Sequence, residues 1–148
     1  MNETLSLVAA LCRTFEGFRA KPYLCPASVA TIGYGSTRYA DGSAVKLTDP
    51  PMTQEQAEEL LIHTIKVSYL PGVLQASPGL AAHPRKLAAI VDFAYNCGVS
   101  RYRASTLRRC VDGEHWDAAK DQLLKWTRGG GRVLPGLVLR RKAEGKLL

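Results

Sequence analysis

A periodic apolar helix that ends on Glu16-Gly17 and passes straight into a hairpin constrains this chain more than any other stretch. Leu5, Val8, Leu11, Cys12 and Phe15 fall on one helical face. Glu16 then occupies the last turn, and Gly17 follows where a left-handed cap costs least. A carboxylate at that end opposes the helix dipole, which favours its protonated form. A neutral carboxylic acid at neutral pH can serve as a general acid. Beyond it, Lys21-Pro22-Tyr23 reads as extended, because proline disfavours helix in the residue before it. Pro26-Ala27-Ser28 reads as a turn, and Val29 to Tyr34 as a returning strand rich in strand formers. Cys25 then lies near the tip and Thr31 on the second strand. Folding back brings Glu16, Cys25 and Thr31 to one cleft, where Gly33 and Gly35 let a ligand approach the backbone.

The frame Glu16-Gly17-x-Arg19-x-x-x-Tyr23, then Cys25, Thr31 and Thr-Ile-Gly-Tyr-Gly35, resembles the phage-type lysozyme family. The resemblance continues through Phe93-Ala-Tyr95-Asn96-Cys-Gly98, Ser105-Thr106-Leu107, Trp126 and Gly136-Leu-Val-Leu-Arg-Arg141. It implies an α+β, mainly helical fold. A small hairpin lobe, about residues 17–50, is joined by a long helix to a helical lobe, about 70–148 plus the N-terminal helix, all in one domain. Glu16, Cys25 and Thr31 become the implied catalytic residues. Tyr34, Asn96, Ser105 and Arg141 become the implied substrate contacts, and either Arg140 or Arg141 is to approach Glu16. Cys25 is a departure the family pattern admits, and Ser36 replaces a histidine found in the T4 protein of that family. No cofactor or metal is implied.

The rest of the chain carries ordinary helix punctuation. Thr53-Gln54-Glu55-Gln56 is a capping box opening a helix that should run to about Tyr69, before Leu70-Pro71. A third short strand is expected around the Asp41-Gly42 turn. Pro84 suits a first helical position, and Leu87, Ala88, Ile90, Val91, Ala94 and Tyr95 make that helix the expected core. Asn96 sits at its C-terminal end. Ser105-Thr106 open a short helix, Trp116 to Trp126 form an amphipathic one, and Pro135 opens the last. Gly129-Gly130-Gly131 reads as flexible and lacks the context of a phosphate loop. Cys12, Cys97 and Cys110 are expected to be buried, free thiols, and no cysteine spacing suits zinc.

Net charge is +7. Such a surface attracts polyanions, and the anionic peptides of peptidoglycan suit it. Arg101-Tyr-Arg103 and Arg108-Arg109 read as a solvated helix face rather than a nucleic-acid site. No apolar run approaches the roughly 20 residues of a membrane span, and Met1 to Leu11 lacks the pattern of a secretory signal.

The resemblance therefore implies hydrolysis of the β-1,4 bond between N-acetylmuramic acid and N-acetylglucosamine. The expected agent is a monomeric endolysin that accumulates in the host bacterial cytoplasm. A holin-type partner would release it to the periplasm, without stable membrane insertion. A free thiol is only a few per cent thiolate at neutral pH, but its thiolate is a strong nucleophile. Cys25 thus leaves two mechanisms open: holding water with Thr31 for inversion, or attacking the anomeric carbon for retention. A lytic transglycosylase would need Glu16 alone. A thiol peptidase would need Cys25 beside His63, His83 or His115. A non-catalytic wall-binding domain would leave the Glu16, Cys25, Thr31 spacing without a purpose.

Overall fold

The computed structural model describes residues 2–148. Helix α1, Asn2–Glu16, ends as expected, and Gly17 follows with φ +71, a conformation glycine adopts without a Cβ penalty. Strands β1, Arg19–Leu24, and β2, Ala30–Gly33, pair antiparallel, with Tyr23 opposite Thr31. The Pro26–Ser28 turn is closed by the Ser28 N–H to the Cys25 carbonyl at 2.8 Å. The third strand is reduced to single bridges, Ile32 with Ser36 and Arg38 with Ala44. The Met52 N–H bonds the Ala20 carbonyl at 2.9 Å, tying the following loop back to β1.

The expected capping box is complete: Thr53 accepts from the Gln56 N–H, and the Gln56 side chain accepts from the Thr53 N–H. It starts α2, Gln54–Thr64. The helix does not stop at Tyr69. A π-helical turn, Ile65–Tyr69, carries the chain into α3, Leu70–Ala76. The Leu70 N–H bonds the Ile65 carbonyl, five residues back. Pro71 has no N–H to give, and at the start of α3 none is required. The proline is thus absorbed by a local change of pitch.

A 3₁₀ turn, Pro78–Ala82, leads to α4, Pro84–Cys97. Leu87, Ala88, Ile90, Val91, Phe93 and Ala94 are all buried on α4. Removing a side chain such as Phe93 would cost about 3–5 kcal/mol. Helix α1 lies against α4, and their apolar faces share a core that also takes in Tyr34 and Ala57. Helices α5, Val99–Ala104, α6, Thr106–Asp112, α7, Trp116–Leu123, and α8, Pro135–Gly145, complete the helical part. The α+β, mainly helical arrangement expected from sequence is the one observed.

Two expectations are corrected here. Gly129 to Gly131 do not form a loose loop: β3, Arg128–Gly129, pairs with β4, Arg132–Val133, across a turn in which Gly130 and Gly131 have φ +60 and +81. Glycine supplies the positive φ that a tight hairpin turn requires. Cys97 and Cys110 are partly exposed rather than buried, while Cys12 is fully buried.

Candidate active site

The end of α1 delivers Glu16 to the base of the hairpin. Its carboxylate packs against Gly35, whose φ is +83, and a Cβ there would stand 3.0 Å from Glu16 Oε1. The glycine is therefore required by space as well as by conformation. The neighbouring Tyr34 carbonyl accepts the Tyr95 hydroxyl at 2.6 Å, which pins this turn to α4.

Arg140 of α8 reaches Glu16: Nη1 donates to Oε2 at 2.6 Å, with the arginine side chain 3% exposed and the glutamate 22%. The dipole argument alone left this carboxylate facing a negative helix end. The fold puts a full positive charge beside it. Arg140 is itself held by Asp92 of α4, with Nε on Oδ2 at 2.9 Å and Nη2 on Oδ1 at 2.8 Å. Burial alone would raise the Asp92 carboxyl, but the bonds from Arg140, Glu144 and Cys12 outweigh it and hold it below the usual range. Burial, reinforced by Asp92, pushes the Cys12 thiol far up, so it stays protonated.

The opposite edge is the hairpin. Cys25 is partly exposed beside the turn. Chiefly the Val29 backbone N–H at its sulfur, then those of Ala27 and the Thr31 hydroxyl, lower its thiol; the slight burial opposes them. A hydrogen bond to the charged form favours that form. Thr31 is buried, and in the resting geometry its one hydroxyl proton goes to the Val29 carbonyl at 2.9 Å. Burial raises the Tyr23 phenol first, and the charges of Glu16 and Cys25 raise it further, so this ring lies within the field of both. The hairpin edge with Cys25 and Thr31 thus stands apart from Glu16, with Tyr23 between them in reach of both charges.

The expected substrate contacts fare unequally. Asn96 rims a cavity of about 470 Å³ shared with Cys97, Arg101, Lys125, Trp126 and Arg128. Arg141 binds its carbonyl oxygen, leaving the amide NH₂ for a ligand. Tyr34 is 2% exposed, its ring against Phe18 and its hydroxyl accepting from Gln54. It offers a ligand no face. Ser105 is the N-cap of α6, accepting from the Arg108 N–H and donating to the Tyr102 carbonyl, and it is buried. Arg141 is fully buried under the Phe93 ring, bound to Asn96 and Cys97, with Nε 3.3 Å from Glu144. Tyr34, Ser105 and Arg141 therefore act as supports, and Arg140 is the arginine at Glu16. Asp92 escaped the sequence reading, although a lone carboxylate among apolar neighbours on a core helix is the mark of a buried ion pair. A separate cavity of about 830 Å³ lies between residues 39–52 and α2 and is lined by none of these residues.

Residues 13–144 match the phage lysozyme family. The chain belongs to that family. An endolysin of an Acyrthosiphon pisum secondary endosymbiont phage is 30% identical over 93% of this chain and 91% of its own length. The endolysin of Bacillus phage B103 is 33% identical over 93% of this chain, which spans only half of that longer protein. An endolysin from Escherichia coli O157:H7 phage FAHEc1 shares the fold, with a TM-score of 0.79 over 99% of this chain and 90% of its own at 24% identity. Family membership makes this chain a lysozyme-type glycoside hydrolase.

Proposed function

We propose that this chain hydrolyses the β-1,4 bond between N-acetylmuramic acid and N-acetylglucosamine, with Glu16 protonating the leaving oxygen. The carrying observation is the geometry around Glu16: pressed against Gly35, bound by Arg140 and faced by the hairpin that holds Cys25 and Thr31. Thr31 and Cys25 supply the other side of the sugar, where a water is held for attack. The lowered Cys25 thiol suits this role, since a partly formed thiolate offers a base and a negative charge opposite the oxocarbenium-like transition state. Asn96 and the basic cavity around it bind the wall polymer.

Reducing-end analysis of digested peptidoglycan tests the reaction. New reducing muramic acid ends are expected; anhydro ends would turn the reading into transglycosylation. An α-anomeric first product would support water attack, and a β-anomer would support attack by Cys25. Glu16→Gln, folded, should lose roughly 10²–10⁴ of the lysis rate. Lysis at the native rate would remove Glu16 from the mechanism.

In this reading the protein acts as a monomer on the host wall, between cytoplasmic synthesis and the periplasm, with a holin-type protein opening the way. Among the described residues no helix is long and apolar enough to cross a membrane. Expression with and without a membrane-permeabilising protein tests the route, since lysis should require the second protein.

A further inference from the structure

We propose that Asp92 is a positioning residue for Glu16, acting through Arg140, and that it sets how firmly Arg140 holds the charge of Glu16. This rests on the reading of Glu16 as the general acid. The guanidinium of Arg140 is used on three nitrogens: Nε and Nη2 on the two oxygens of Asp92, and Nη1 on Glu16. A two-bond fork fixes the plane of the guanidinium, so the third nitrogen has one direction left to point. The Phe15 ring lies 5.7 Å from the guanidinium carbon and adds to the confinement.

The same fork shares out the positive charge. A general acid must carry its proton when the substrate arrives. An arginine with Glu16 as its only anion would hold that carboxylate ionised. Asp92, wholly buried, already balances Arg140, so the guanidinium can orient Glu16 while holding its charge less tightly. A buried ion pair adds little to stability over packed apolar residues of the same volume. Its position against the acid gives it a use that packing would not.

The surrounding titratable and charged groups come from every element packed here. Helix α1 brings the Cys12 thiol, 3.4 Å from Asp92 Oδ1, and Glu16 itself. The π-turn brings Tyr69 and α4 brings Tyr95, both phenols raised chiefly by burial and further by the charge of Glu16. Helix α8 brings Glu144 and Arg141, and β1 brings Tyr23. Burial above all, then Asp92, raises the Glu144 carboxyl and favours its protonated form. Of the two buried carboxyls, Asp92 and Glu144, Asp92 is therefore the one that stays charged beside Arg140.

The test is the pH profile of Asp92→Asn on solubilised peptidoglycan fragments. The alkaline limb of kcat should move to lower pH by about one unit, a loss of about tenfold above it, with KM little changed. Asp92→Glu should bring the limb part of the way back. A lower melting temperature with an unmoved limb would reduce Asp92 to a structural role and overturn the proposal. Should Asp92→Asn fail to fold, carboxyl-carbon and arginine-nitrogen NMR of the native protein decides. Asp92 should stay ionised across the active pH range while the Arg140 signals follow Glu16. An Asp92 that titrates with activity, or Arg140 signals that ignore Glu16, would overturn it. Glu16→Gln run in parallel separates the two ideas: retained lysis defeats the acid assignment and the positioning role with it, while lost lysis with an unmoved Asp92→Asn limb defeats only the positioning.

Discussion

The two edges of the cleft are built in opposite ways. On one, Glu16 is bound by an arginine that is 3% exposed and anchored to a wholly buried aspartate. Three helices, α1, α4 and α8, must be in place for it to exist. On the other, Cys25 stands beside an exposed turn, and the groups that tune its thiol lie within six residues of it. The first edge is fixed by long-range packing and is costly to alter. The second is set by a local hairpin and can change its chemistry without disturbing the core. The difference explains how the position we propose for catalysis can hold a thiol where a carboxylate would also fit: the hairpin edge places few packing demands on its side chain.

Breaking the buried edge should have the largest effect on stability. Arg140→Met leaves Asp92 buried without its cation and should cost about 3–5 kcal/mol. Urea denaturation measures it, and a loss below 1 kcal/mol would mean that the two edges are equally soft. The hairpin edge should respond in activity rather than stability. Cys25→Ser should lower turnover by up to about tenfold, the size of one lost interaction, with an unchanged midpoint of unfolding. Cys25→Asp should keep or raise activity, because it supplies a permanent charge. A fully active Cys25→Ala would remove position 25 from the mechanism.

Thiol chemistry contrasts the edges directly. With its value lowered from 9.0, Cys25 should be alkylated first and its rate should rise at lower pH than that of an ordinary thiol. Cys12, buried and raised, should react only on unfolding. Bound oligosaccharide should slow the reaction at Cys25; equal reactivity of the two thiols in the native protein would contradict the contrast.

The smallest effect concerns Glu144, whose carboxyl is raised well above 4.5, by burial first and by Asp92 next. The folded state then binds this proton more tightly than the unfolded chain. The resulting stability is complete below the unfolded value and is lost as pH rises through the folded one, with a slope of at most about 1.4 kcal/mol per pH unit. Glu144→Gln cannot ionise and should flatten that decline in melting curves taken across pH. An unchanged decline would show that Glu144 is not its source.

Features that depend on neighbours in sequence were legible beforehand. The capping box at Thr53, the proline starts at Pro84 and Pro135, the glycine after Glu16 and the turn after Cys25 each rest on bonds or conformations within a few residues. Their energies are local, so the sequence states them. The spacing of Glu16, Cys25 and Thr31 was legible for the same reason, since one helix end and one hairpin carry all three. What the sequence left open was the direction of particular polar and charged side chains. Arg140 and Arg141 are adjacent on one helix, about 100° apart around its axis, and only the packing of α8 against α4 decides which one meets Glu16. Tyr34 and Ser105 were expected to meet substrate, but Gln54 and the start of α6 take their polar groups instead. Pro71 read as a stop, yet a π-turn just before it carries the helix on, because the segments on both sides are held by buried Leu61, Leu70 and Val73. The sequence by itself determined which residues could carry the chemistry. The tertiary structure alone decided which charges face one another, because a buried ion pair depends on distance and exclusion of water, and neither is written in the order of the chain.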